Sequence, residues 1–92
     1  MINPKWQEEE SVLTLEKTDD IRQIILFNDD VNTFDHVIGM LVKYCKHEPT
    51  QAEQCAYIVH YNGKCEVKSG SYDDLEPVCT ALLDAGLSAE IK

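Results

Sequence analysis

No apolar run in this sequence approaches the roughly 18 residues that a membrane-spanning helix needs, so no membrane partner is expected. The opening stretch Met1–Glu10 lacks an apolar core followed by a small-residue cleavage site, which argues against a secretion signal and leaves a cytoplasmic location as the expectation. Basic residues are scarce. Eight lysines and arginines stand against 17 acidic residues, and the net charge of −9 repels a phosphate backbone, so no nucleic-acid partner is expected. Cys45, Cys55, Cys65 and Cys79 contain no C-x-x-C pair and have no histidine at zinc-finger spacing. They fall on apolar faces and are most simply reduced core thiols. There is no G-x-S-x-G or Cys-Gly signature, and Cys55 and His60, on one expected helix, face different directions. A non-enzyme without metal or cofactor is therefore expected.

What is present suits one small domain. A chain of 92 residues that is 43% hydrophobic and 27% charged can bury a single modest core. Residues 1–20 carry Glu8, Glu9, Glu10, Glu16, Asp19 and Asp20 against Lys5 and Lys17, the composition of a flexible acidic tail in which Trp6 is solvated. Within it, Ser11 to Leu15 has the length of a short edge strand or a docking segment. The core is expected over residues 21–92.

The stretch Ile24-Ile25-Leu26-Phe27-Asn28-Asp29-Asp30 organises that core. Large apolar residues stop abruptly at two carboxylates and an amide, the end of a buried strand that begins near Ile21. Taken alone, Asn28, Asp29 and Asp30 are a solvated turn. Asn32 then suits a helix cap, and Phe34, Val37, Ile38, Leu41 and Cys45 recur at helical spacing, giving a helix from about Thr33 to Lys46 that ends at His47-Glu48-Pro49. A second helix runs from about Thr50 to Tyr61 on the stripe Ala52, Cys55, Ala56 and Val59, with Asn62-Gly63 as its stop. His60 stands at the edge of that stripe; alone, it is a histidine favoured by the helix dipole. Cys65 to Lys68 alternates as a half-buried strand, broken by Ser69-Gly70. Ser71 with Asp74 forms a capping box for a third helix on Leu75, Val78, Cys79 and Leu82, distorted near Pro77 and stopped at Gly86; Leu87, Ala89 and Ile91 face inward on a last strand. The order β-α-α-β-α-β predicts a two-layer α+β domain, a three-stranded antiparallel sheet with three helices on one face.

Two carboxylates, an amide and a histidine allow a metal site at Asp29, Asp30 and His60. They also allow a cation site beside an apolar pocket, which would hold an ammonium group attached to a hydrophobic side chain. At these residues a resemblance enters. Ile25-Leu26-Phe27-Asn28-Asp29-Asp30 before a helix, and Val59-His60-Tyr61-Asn62-Gly63-Lys64 about thirty residues on, resemble the ClpS family, bacterial adaptors that present N-degron substrates to a Clp AAA+ unfoldase. The resemblance covers about Arg22 to Lys92 and implies the same element order.

It implies that Asn28, Asp29 and His60 bind a free α-amino group, with Asp30 finishing the turn. Leu26, Asn32, Phe34, Val37, Ala56 and Val59 correspond to the wall of a pocket for a first side chain of Leu, Phe, Tyr or Trp. Asp73 and Glu76 correspond to an unfoldase-docking patch, the partner being of ClpA or ClpC type. The chain departs from the family at Phe34 and Ala56, where methionines are common, at Asn32, where threonine is usual, and at Val78, where a basic residue is customary. An alternative shares the element order: an interaction module like the C-terminal domain of the ribosomal stalk protein, distinguished by a shallow surface without a pocket at His60.

Overall fold

The computed structural model describes residues 21–92; the expected acidic tail, with Trp6 and the Ser11 to Leu15 stretch, lies outside the described residues. The elements are β1 (Arg22–Phe27), α1 (Phe34–Cys45), α2 (Pro49–Asn62), β2 (Lys64–Gly70), α3 (Tyr72–Asp84) and β3 (Ser88–Ile91), in the expected order. The sheet order is β2-β1-β3, and β1 is antiparallel to both neighbours. β1 takes the centre because its alternate residues Ile24 and Leu26 are fully buried, while Ile25 and Phe27 keep its other face apolar and half-buried. The largest buried side chains, Ile24, Leu26, Leu41, Leu75 and Leu82, come from β1, α1 and α3; Ala52, Cys55 and Val59 bring α2 into the same core.

Several boundaries differ from the sequence expectation, each for a local reason. Thr33, not Asn32, caps α1: its side chain accepts from the N–H of His36 at 3.1 Å, leaving Asn32 free for other work. Lys46 ends α1 in a left-handed conformation with φ of 61°, where sequence logic looks for glycine. α2 begins at Pro49, because proline at the first helical position lacks only an N–H that would be unpaired anyway. Ser69-Gly70 does not break β2, since pairing to β1 continues through Gln23↔Ser69 and Arg22↔Gly70. At α3 only the forward half of the expected capping box forms, Ser71 accepting from the N–H of Asp74 at 3.2 Å. The helix runs on through Pro77, which lies on its exposed side and deprives only the Asp73 carbonyl of its usual donor.

β2 contains a bulge that His47 completes. Ile24 pairs with Lys68 and Ile25 with Glu66, so Val67 has no partner in β1. The side chain of Val67 is buried, and its carbonyl accepts a 2.6 Å hydrogen bond from Nε2 of the buried His47. A carbonyl can only accept, so Nε2 carries the proton; Nδ1 is buried without a partner among the described residues. From the sequence His47 is merely part of a helix stop. In the fold it supplies the donor that the bulge removed from the sheet ladder. His47→Leu should therefore lower stability by about 1–3 kcal/mol, the cost of an orphaned buried carbonyl, as read from urea unfolding. An unchanged midpoint would mean that the bulge carbonyl finds another donor.

Candidate functional site

The end of β1 and the end of α2 meet through the backbone. The N–H of Asn28 donates to the carbonyl of Gly63 at 2.9 Å, extending the Phe27↔Lys64 pairing by one step. Gly63 takes φ of 96° and returns its own N–H to the Val59 carbonyl, so α2 closes within one residue and releases the chain straight into β2. His60, in the last turn of α2, is thereby held beside the Asn28-Asp29-Asp30 turn.

That turn is built on the Asp29 carboxylate. Oδ1 accepts from the N–H of Val31 at 2.9 Å, the N–H of Asn32 at 3.0 Å and the Asn32 side-chain amide at 3.1 Å; Oδ2 accepts from the same amide at 2.9 Å. Burial alone would raise the Asp29 carboxyl. The donors from Asn32 and Val31 outweigh it and hold the group below its ordinary value. The Asn32 amide also donates to the Gly86 carbonyl at 2.8 Å, and His36 Nε2 bonds the neighbouring Ala85 carbonyl at 2.8 Å. Two side chains from the β1–α1 region thus tie down the α3–β3 turn. Asn32 is a strut between elements, not a helix cap.

These ties enclose a cavity of about 220 Å³ lined by Leu26, Asn28, Asp29, Asp30, Asn32, Phe34, Val37, Ala56, Val59 and His60, together with Phe27 and Leu87. Every residue expected at the amine site and in the pocket wall therefore borders one space. The polar members Asn28, Asp29, Asp30 and His60 belong to the two element ends. Leu26, Val37, Ala56, Val59 and Leu87 supply apolar wall from four different elements or their flanks. Asn28, Asp30 and His60 are exposed, and among the described residues their side chains make no hydrogen bond to protein, so their polar atoms are free for a ligand. Phe34 is half-buried at the mouth, edge-on to His60 at 5.3 Å and to Tyr57 at 5.1 Å between ring centroids.

Phe27 and Leu87 were not expected in the wall. Leu87 carried a signal, as an inward residue after Gly86, but its place at the cavity follows from β3 pairing with β1 at Phe27↔Ser88. A cavity rather than a shallow surface lies at His60, so the distinguishing mark of the stalk-type interaction module is missing. Asp73 and Glu76 are exposed in the first turns of α3, apart from this cavity; Glu76 borders a second depression with Tyr72, Leu83 and Ile91.

The arrangement is suited to binding. All four cysteines are free thiols; burial pushes Cys45 up to about 11 and Cys65 up to about 12, with the neighbouring Cys55 thiol adding to the rise at Cys65. At neutral pH these two hold no appreciable thiolate. Among the described residues no three His, Cys, Asp or Glu side chains converge as metal ligands, so Asp29, Asp30 and His60 share the cavity rim without forming a coordination set.

Comparison with known proteins gives concordant findings. The family described as ATP-dependent Clp protease adaptor protein ClpS matches residues 17–90. An ATP-dependent Clp protease adapter protein ClpS from Thermosynechococcus vestitus is 37% identical over 67 residues, 72% of this chain and 71% of that one. Another from Nostoc is 36% identical over 89 residues, 92% of this chain and 89% of that one. Among solved structures, Agrobacterium tumefaciens ClpS2 bound to L-phenylalaninamide superposes with a TM-score of 0.75, covering 82% of this chain and 98% of that chain; at 18% identity this likeness is one of fold.

The bonding of Asp29 generates a pH expectation. Its folded-state value lies below the unfolded one, so its contribution to stability is complete above the ordinary carboxylate range and is lost only as pH falls through the lowered folded value. Carbon-detected NMR titration should find the Asp29 carboxyl ionised below the range where an unbonded aspartate protonates. In Asp29→Ala, stability should already be lower at neutral pH and should fall less on acidification. A carboxyl that titrates at the ordinary value would show that the turn bonds are not maintained in solution.

Proposed function

The chain belongs to the ClpS family of ATP-dependent Clp protease adaptor proteins, and on that premise we propose that the cavity binds the first residue of a polypeptide: its free α-amino group at Asn28, Asp29, Asp30 and His60, and its large hydrophobic side chain between Leu26, Asn32, Phe34, Val37, Ala56 and Val59. The bound N-degron substrate, beginning with Leu, Phe, Tyr or Trp, is delivered to a Clp AAA+ unfoldase of ClpA or ClpC type. Asp73 and Glu76 are the proposed docking contacts on α3, and the adaptor itself does no chemistry.

One observation carries this reading: free acceptors sit at the lip of an otherwise apolar cavity too small for a cofactor and large enough for a single side chain. An α-amine has a pKa near 8 and is mostly cationic at neutral pH. Charge-assisted bonds to it contribute about 1.5–3 kcal/mol each, and burying a Phe-sized group contributes about as much again. Set against the several kcal/mol lost on association, these terms place recognition of a chain end in roughly the micromolar range. Asp29 takes part with limited capacity. Three donors already occupy its Oδ1, so the side with spare lone pairs is Oδ2. Asn28, Asp30 and His60 accordingly have more accepting capacity to offer the amine. Support from the fold comes from the superposed Agrobacterium protein, which was solved with L-phenylalaninamide, a molecule with a free α-amine and a benzyl side chain on the same carbon.

His60→Ala and Asn28→Ala should each weaken a Phe-initial peptide at least about tenfold without unfolding the protein, and acetylating the peptide should do the same. Fluorescence anisotropy with labelled peptides reads both effects. Equal affinity for free and acetylated peptides would refute the amine site.

The wall makes a separate prediction. Ala56 is buried one turn before His60 and leaves room that a longer side chain would fill. Ala56→Met should shrink the cavity and shift preference from Trp toward Leu by about 1–3 kcal/mol. An unchanged Trp-to-Leu affinity ratio would remove residue 56 from the specificity-determining wall.

A further inference from the structure

An aromatic row leads out of the cavity onto the solvent side of α2. His60 meets the Tyr61 ring edge-on at 4.7 Å, and Tyr61 lies nearly parallel to Tyr57, with 7° between ring planes and 6.0 Å between centroids. Both tyrosines are open to water, Tyr57 at 48% and Tyr61 at 74% exposure. The two rings stack with their planes nearly parallel, so each keeps one outer face directed away from the other. Helical spacing aligns the exposed Glu53 with Tyr57 and Tyr61 at successive intervals of four, and α2 contains no lysine or arginine to neutralise it. The inner end of the row is fixed by Phe34, edge-on to both Tyr57 and His60. None of this surface is needed by the core, and none of it lines the cavity except through Phe34 and His60.

We propose that Tyr57 and Tyr61, backed by Glu53, form a subsite for the second residue of the bound chain end, and that the side chain it selects is arginine. This inference rests on the chain-end reading of the cavity. The subsite requires the backbone of the bound chain to leave the amine contacts past His60, whose ring meets that of Tyr61 at 4.7 Å between centroids. One residue advances the backbone by about 3.8 Å, which brings the next side chain within reach of the tyrosine faces. A guanidinium is planar and weakly hydrated, so it lies flat on such a face and is drawn by the ring quadrupole and by Glu53 together. The net charge of −9 adds a field that favours a cation and disfavours an acidic second residue.

The test compares peptides that differ only in their second residue, Phe-Ala, Phe-Arg, Phe-Lys, Phe-Glu and Phe-Trp, titrated by fluorescence anisotropy against the full 92-residue chain. Phe-Arg should bind about two- to fivefold more tightly than Phe-Ala, the size of an exposed cation–π contact, with Phe-Lys between them and Phe-Glu weakest. The Phe-Arg to Phe-Ala ratio should fall in Tyr61→Ala to no more than the advantage Phe-Lys shows there, persist in Tyr61→Phe, and shrink in Glu53→Gln, as expected of a contact made through the ring face and the carboxylate. An arginine advantage undiminished by Tyr61→Ala reports attraction by charge alone and overturns the subsite. Phe-Trp matching Phe-Arg overturns the choice of a cation. Phe-Ala bound with no arginine advantage overturns the subsite and leaves the cavity reading standing, whereas failure of Phe-Ala to bind overturns both.

Discussion

The hydrogen bond from the N–H of Asn28 to the carbonyl of Gly63 is the constraint on which the site depends. It is the last rung of the β1–β2 ladder, and it forces the polar end of the central strand against the polar end of a helix more than thirty residues away in sequence. Backbone groups at strand and helix ends are those that regular structure leaves unpaired, so a bond between two such ends answers both needs and is repaid by the sheet register behind it. Gly63 is indispensable to this junction because its φ of 96° lets α2 end and β2 begin without an intervening loop. A longer connection would free His60 from the turn it faces.

Around that junction, polar side chains act as struts so that others can stay free. Asp29 and Asn32 spend most of their hydrogen-bonding capacity on each other, on the turn and on Gly86. His36 spends its own on Ala85. Asn28, Asp30 and His60 take no part in these bonds and stand exposed beside them. His47 does comparable work away from the site, bonding the Val67 carbonyl at the bulge that shifts the register of β2 on β1. The cavity is shaped by the ends and flanks of β1, α1, α2 and β3, which explains why its floor is apolar while its rim is not.

Phe34 joins wall and surface. Its edge-on contacts with His60 and Tyr57 position it across the mouth, where a flexible side chain would leave the opening adjustable. Ala56, which is buried, lines the same cavity as Phe34. The Phe34 ring leads onto the exposed faces of Tyr57 and Tyr61, so the inner and outer surfaces of α2 are coupled through one residue.

Much of this was legible in the sequence, because it depends on local periodicity and on residue chemistry. Ile24 to Phe27 ending at Asn28-Asp29-Asp30, the stripe Ala52, Cys55, Ala56 and Val59, and the Asn62-Gly63 stop each state their element through burial pattern and turn preference, and the two polar motifs carried the family resemblance. Tertiary structure alone decided the rest. Whether Thr33 or Asn32 caps α1 depends on Gly86, a partner 54 residues beyond Asn32 whose carbonyl draws the amide away. Leu87 and Phe27 enter the cavity through the register of β3 on β1, which a four-residue strand does not encode by itself. His47 acquires its role from a bulge that arises only when β2 is paired. Composition and spacing determine which residues are buried and where elements stop; which unpaired groups find one another is determined by distance in space, and only the folded chain measures that.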